Sequence, residues 1–272
     1  MNAEIETASL RDSARIAYRR WGVGNPGGRI VLVHPLALDG SLWEPVAARL
    51  TAAQMDVIAP DCRGHGRSER SPGPYSVEQF ADDLADLMDH AGWSGAVVAG
   101  CSMGGCVAQA FAGAYPQRLK GLILVDTTSW YGLDAQASWA ERAAKARTEG
   151  LASMSGFQTT RWFSDAYQAD HPQRVAEVIE IFIANDLECY AASCIMLGAA
   201  DLRPVLSGIK VPAQVVVGED DYATPVAASE YLAREIPGAR LTILPHARHL
   251  TLVERPDDIA AAIAEVTEAS VS

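Results

Sequence analysis

Ala96-Val97-Val98-Ala99-Gly100-Cys101-Ser102-Met103-Gly104-Gly105 is the stretch that decides the fold. Its first four residues form a small apolar run bracketed by Gly95 and Gly100, as expected of a strand buried on both faces. From Met103 to Tyr115 the pattern is helical, and Pro116 stops it. Between strand and helix lies Gly100-x-Ser102-x-Gly104, a serine on a sharp turn. Such a turn strains the serine backbone, and the flanking glycines let strand and helix approach closely. The helix N-terminus behind the serine favours developing negative charge. Ser102 is therefore the candidate nucleophile, with a purely structural turn serine as the alternative.

On the N-terminal side, residues 4–10 and 14–19 read as two short strands joined by Arg11-Asp12-Ser13. Arg29–Val33 and Asp56–Pro60 are continuous apolar runs, and a helix over 42–53 separates them. Residues 77–90 form a second helix, with Ser76 and Gln79 in a capping-box pattern. Leu119 to Asp126 supplies a further strand. Strand and helix thus alternate, which predicts an α/β protein with a parallel sheet.

The rhythm breaks between residues 127 and 208, where the pattern is helical and aromatic residues are frequent. It resumes with a strand over 211–217, a helix over 226–236, a strand over 240–244 and a helix over 256–268. The expectation is an α/β core built from residues 1–126 and 209–272, with 127–208 inserted as a helical cap over one sheet edge. Additional layer helices are the simpler alternative.

A serine hydroxyl is a weak nucleophile at neutral pH and needs a base and an orienting acid. In this architecture the order is serine, acid, histidine, on loops after successive strands. His249 lies between the strand at 240–244 and the last helix, and His246 is its nearest rival. Glu219, Asp220 and Asp221 follow the strand ending at Val217. Asp221 is favoured for its later loop position and short side chain, and Asp220 stays open. The oxyanion needs backbone donors. Met103, directly after the nucleophile, offers one amide. Pro35 has no N–H, so Leu36 is the second donor in His34-Pro35-Leu36. His34 has no evident proton-transfer partner and is expected to organise that loop.

Composition narrows the partners. The chain has 272 residues, 34 acids against 22 bases and a formal charge of −12. That field repels phosphate backbones and anionic membranes, so nucleic-acid binding is disfavoured. Five cysteines without a CxxC pair point to free thiols in a reducing compartment, and no clustered soft ligands suggest a metal. Met1-Asn2-Ala3-Glu4-Ile5-Glu6 lacks the basic start and apolar core of a signal peptide. No apolar run approaches the roughly 20 residues of a membrane span. The expectation is a soluble cytoplasmic protein. Its oligomeric state is left open, a homodimer included.

With these residues assembled, the chain resembles the α/β-hydrolase superfamily and, within it, the 3-oxoadipate enol-lactonase branch. The likeness rests on Leu42-Trp43-Glu44-Pro45, Asp61-Cys62-Arg63-Gly64-His65-Gly66-Arg67-Ser68 and Ser102-Met103-Gly104-Gly105. Between the core strands it adds Lys145-Ala146-Arg147-Thr148-Glu149-Gly150, Arg161-Trp162-Phe163 and Ala200-Asp201-Leu202-Arg203. The resemblance implies a mostly parallel eight-stranded sheet with helices on both faces and an inserted helical cap. Its Gly-x-x-Asp-x-x-x-Pro pattern falls on Gly218, Asp221 and Pro225, and its histidine on His249. The chain departs from such lactonases at His34-Pro35-Leu36-Ala37, at Ala99-Gly100-Cys101 and at Thr127-Thr128-Ser129-Trp130-Tyr131, all of which border the expected cleft.

The chemistry implied is acyl transfer to water from a small-molecule ester or lactone, an enol-lactone of 3-oxoadipate among them, without metal or organic cofactor. Arg142, Arg147 and Arg161 are candidates to contact a substrate carboxylate, although ten acids outnumber six bases between Thr127 and Gly208. Trp130, Trp139 and Trp162 are candidates for the apolar wall, and Trp43 and Met103 for the pocket border. The same triad serves a carboxylesterase for a larger aromatic or polyketide-like ester, a C–C bond hydrolase or a cofactor-free haloperoxidase. A non-catalytic small-molecule-binding protein is the reading from outside enzymology.

Overall fold

The parallel strands are where the hydrophobic runs place them. The computed structural model describes residues 3–270; Met1 and Asn2, which open the stretch read above for a leader, lie outside them. The elements begin with β1 (Glu4–Ser9), β2 (Arg15–Trp21) and β3 (Arg29–Val33), followed by α1 (Glu44–Ala52), β4 (Asp56–Pro60) and α2 (Val77–His90). Then come β5 (Ala96–Cys101), α3 (Met103–Ala114) and β6 (Leu119–Val125). Six helices precede the next strand: α4 (Ala135–Glu149), α5 (Ser155–Trp162), α6 (Asp165–Asp170), α7 (Pro172–Ile183), α8 (Leu187–Ala199) and α9 (Arg203–Leu206). The chain closes with β7 (Ala213–Gly218), α10 (Val226–Glu235), β8 (Arg240–Leu244), α11 (Thr251–Glu254) and α12 (Pro256–Ala269).

The eight strands form one sheet in the order β1-β2-β4-β3-β5-β6-β7-β8. β1 and β2 pair antiparallel across the Arg11–Ser13 turn, and β2 pairs antiparallel with β4. From β4 to β8 every pairing is parallel. Every residue of β4, β5 and β7 is buried, which requires cover on both faces of the sheet. α2 packs on α3, and α1 packs on α12.

Two boundaries differ from the sequence reading for reasons of proline chemistry. The helix expected over 42–53 begins as a 3-10 turn, Gly40–Trp43, and becomes α-helical only at Glu44. Pro45 lacks an N–H and fits only the first helical turn. The strand expected from Val211 starts at Ala213, after Pro212, which has no amide to give the ladder. Ser76 caps α2 as expected, its side chain accepting from the Gln79 N–H.

Between β6 and β7 the chain is helical, with one isolated bridge joining Trp130 to Asp201. Among the described residues no single helix is long and apolar enough to cross a membrane. α7 and α8 reach that length and composition only as a pair bent by 93°. Val178, Phe182, Tyr190 and Cys194 of that pair are buried in the hydrophobic core. All five cysteines are buried and unpaired.

Candidate active site

Parallel strands deliver their C-terminal ends to one sheet edge, and the loops there gather the candidate residues. Ser102 follows β5 with φ 53° and ψ −115°, a strained conformation for a side-chain-bearing residue. The turn tolerates nothing larger beside it. A Cβ on Gly100 would lie 2.1 Å from the Gly104 carbonyl oxygen, and one on Gly104 would lie 2.2 Å from that of Val33.

Ser102 Oγ lies 3.0 Å from His249 Nε2, and His249 Nδ1 lies 2.8 Å from Asp221 Oδ2. Asp221 is further held by the amides of Ala223 (2.7 Å) and Thr224 (3.0 Å) on Oδ1, and by the Thr224 hydroxyl (2.9 Å) on Oδ2. Burial pushes the Asp221 carboxyl up, but His249 and these donors outweigh it and hold it below the usual carboxylate range. An ionised acceptor fixes the proton on Nδ1 and leaves the Nε2 lone pair facing Ser102. Ser102, Asp221 and His249 are 8%, 4% and 5% exposed. The rivals are elsewhere. Glu219 and Asp220 are exposed, and so is His246, whose amide donates to Glu219.

The loop after β3 carries the second expected oxyanion donor. His34 donates from Nδ1 to the Pro35 carbonyl (2.7 Å) and accepts the Cys62 N–H at Nε2 (2.8 Å). Because the peptide is planar and trans, fixing the Pro35 carbonyl turns the Leu36 N–H to the opposite side. Burial holds the His34 ring down at about 4, so it stays neutral and keeps both roles. Pro35 and Leu36 line a small cavity together with Ser102 and His249. Met103 is fully buried at the first turn of α3, and its side chain stands in the core.

That inner chamber has only about 30 Å³, close to the space of one water. Beside it lies an outer chamber of about 460 Å³, lined by Ser138, Glu141, Lys145, Met154 and Phe157 among others. Tyr131, Trp139, Arg142 and Arg161 line both chambers and form the wall between them. Tyr131 and Trp139 meet edge to face at 5.1 Å, and Arg142 lies over the Trp139 ring and donates to the Tyr190 hydroxyl at 2.7 Å. Burial lowers the Arg161 guanidinium from its ordinary value, and Arg142 lowers it further.

Of the residues expected to meet substrate, Trp139, Arg142, Arg161 and Trp162 stand at the inner chamber. Three do not. Trp43 is fully buried in the 3-10 turn as part of the core. Trp130 is held away by the Arg203 guanidinium, 3.8 Å from its ring centre, and by its bridge to Asp201. Arg147 is spent on an exposed ion pair with Glu188 at 2.6 Å. Tyr131, Phe157 and Thr224 were missed as site residues. Tyr131 had a signal, since an aromatic stands where the resemblance expects small residues. Thr224 had one in its spacing, three residues past Asp221, where a hydroxyl can cap a carboxylate.

Comparison with known proteins identifies the family. The family described as serine aminopeptidase, S33, matches residues 24–256. The 3-oxoadipate enol-lactonase 2 of Acinetobacter baylyi is 34% identical over 227 residues, 84% of each chain. The solved enol-lactonase of Burkholderia xenovorans is 35% identical, with a TM-score of 0.91 over 97% of this chain and 100% of that one. A thermophilic esterase of Thermogutta terrifontis, solved with malate bound, is 29% identical, with a TM-score of 0.91 over 99% and 100%. By sheet order, by strand-end serine and by these relatives, the chain belongs to the α/β-hydrolase superfamily, among its lactonases and esterases.

Proposed function

We propose that this chain is a serine hydrolase for a small carboxylate-bearing ester or lactone, with an enol-lactone of the 3-oxoadipate type as the favoured substrate. The observation that carries the reading is the Asp221–His249–Ser102 hydrogen-bonded series opening on a chamber walled by Arg142 and Arg161. His249 Nε2 takes the proton from Ser102 Oγ as the oxygen attacks the carbonyl carbon. The oxyanion is held by the Met103 and Leu36 amides. The C–O bond of the ester breaks, and His249 returns the proton to the departing oxygen. In a lactone that oxygen stays tethered, and an enol leaving group departs readily and becomes a ketone. Water, deprotonated by His249, then attacks the acyl-enzyme, and Ser102 leaves with the proton restored. Residues 127–208 serve in this reading as a cap that selects what reaches Ser102. The lactonase relatives support the substrate class, and so does malate, a dicarboxylate, in the Thermogutta esterase.

A carboxylesterase for a larger aromatic ester is the second reading. Tyr131, Trp139 and Phe157 favour it, because they give the outer chamber an aromatic lining. Two measurements decide. A fluorophosphonate should label the folded chain and fail on Ser102→Ala; an unlabelled wild type refutes the hydrolase reading. The kcat/KM for the enol-lactone should exceed that for neutral aryl esters. Turnover of the aryl ester alone would select the second reading.

A further inference from the structure

One carboxylate at the same sheet edge takes no part in this mechanism. Asp126 follows β6 and is fully buried. Its φ of 46° is in the left-handed region, which a non-glycine residue keeps only where its surroundings over-determine it. Its amide donates to the Val216 carbonyl of β7 (2.9 Å). Its Oδ1 accepts the Gly218 N–H (3.1 Å), and its Oδ2 accepts both the N–H (2.9 Å) and the hydroxyl (2.6 Å) of Thr251.

Those partners are not arbitrary. Gly218 ends β7 three residues before Asp221, and Thr251 opens α11 two residues after His249. The two loops also meet directly, through Glu219 N–H to the Leu244 carbonyl and Asp220 N–H to that of Ala247 (2.9 and 3.0 Å). A Cβ on Gly218 would lie 2.4 Å from the Ala247 and Arg248 carbonyl oxygens, so their separation has no slack.

We propose that Asp126 is a positioning residue, whose carboxyl group ties the loop bearing Asp221 to the loop bearing His249 and keeps the imidazole in line with Ser102. The proposal rests on the assignment of those three as the catalytic residues. Burial, and then the charge of Asp221, push the Asp126 carboxyl well above the usual range, while an apolar side chain in its place would leave the buried Gly218 and Thr251 donors without an acceptor. What an acid supplies is two oxygens facing two backbone donors on different loops. The Gly218 and Thr251 amides can hold those oxygens in either protonation state.

Asp126→Asn keeps the shape but turns an amide group toward one of the two N–H donors. On an activated aryl ester we expect kcat to fall about ten- to a hundred-fold with KM nearly unchanged. In an Asp221→Asn background the same substitution should add little, because the alignment it maintains is already lost. Folded Asp126→Asn with kcat within about two-fold of wild type overturns the proposal, and so does a full, independent loss in the Asp221→Asn background. Should Asp126→Asn not fold, Thr251→Val removes only the hydroxyl donor. A fall in kcat of about three-fold or more is then expected, and unchanged kcat overturns the proposal. A wild type that neither turns over ester nor labels at Ser102 refutes the hydrolase reading instead. In that event the NMR resonance of the His249 Nδ1 proton still tests the positioning. It should move in Asp126→Asn, and an unmoved resonance overturns the proposal.

Discussion

Arg142 and Arg161 face the same inner chamber, and among the described residues neither is paired with a carboxylate. Two cations sharing a partly buried wall repel each other, and burial with this repulsion lowers the Arg161 guanidinium. An anion between them relieves both costs and gains charge-assisted hydrogen bonds. Arg142→Gln and Arg161→Gln should each raise KM for a carboxylate-bearing lactone about ten- to a hundred-fold, while kcat/KM for a neutral acetyl ester changes less than about three-fold. Equal losses on both substrates would remove the arginines from recognition. Arg147→Gln is the control, since its exposed pair with Glu188 lies away from both chambers, and its KM should match wild type.

The oxyanion donor proposed on Leu36 is a backbone group, so the informative substitution removes the amide itself. Leu36→Pro should lower kcat about 10²- to 10³-fold with KM little changed, whereas Leu36→Ala, which keeps the N–H, should stay within about five-fold of wild type. Steady-state kinetics on one aryl ester decides it. A Leu36→Pro protein with full kcat would eliminate this amide from the mechanism.

Gly100 is required by contact with a carbonyl oxygen, not by turn conformation. Gly100→Ala drives its new methyl to within 2.1 Å of the Gly104 oxygen, at the first turn of α3. We expect a loss of about 2–4 kcal/mol, or failure to fold, because the obstacle is backbone on both sides. Urea unfolding measures it, and a substitution that costs less than about 1 kcal/mol would contradict the close approach.

Acid should destabilise the protein through two rings that lie far from titration at neutral pH. Burial holds His34 at about 4 and His65 at about 3, the latter helped by the neighbouring His34. The unfolded chain protonates both near 6.5, so between about pH 6 and 4 it binds more protons than the native state. Their contribution is therefore fully present above about pH 6.5 and is lost as the pH falls through that window. Each ring should contribute a slope of roughly 1 kcal/mol per pH unit. His65→Gln should flatten the pH dependence of the unfolding midpoint, and a parallel curve would show that this ring is not buried neutral.

How much of this was legible in the sequence depended on how local the signal was. β3 and β4 match their hydrophobic runs residue for residue, because strands covered on both faces leave continuous apolar stretches, and the edge strand β8 keeps its expected bounds although only Leu244 of it is buried. Ser102, Asp221 and His249 were readable because each sits at a fixed place after a strand. The wall of the chamber was legible only in part, for Trp139, Arg142 and Arg161 were candidates beside Trp43, Trp130 and Arg147, which lie elsewhere. Trp43, Trp130 and Trp139 look alike in sequence, and only helix packing separates a core tryptophan from one beside a cavity. Arg147 and Arg142 lie five residues apart on α4, about 140° apart around the helix, so one meets Glu188 in solvent and the other the chamber. Which face of α4 turns inward is set by its packing against α8, a contact that α4 alone does not encode.

The wall between the chambers has a consequence for how such a chain diversifies. Tyr131, Trp139, Arg142 and Arg161 stand within one continuous stretch, whereas Ser102, Asp221 and His249 are spread over three strand ends fixed by sheet register. Under the proposed function, choice of molecule and breaking of bond are thus written in separate passages of the chain. Mutation can redraft the first passage freely while the second stands unaltered, and descendants can change clientele without relearning their trade.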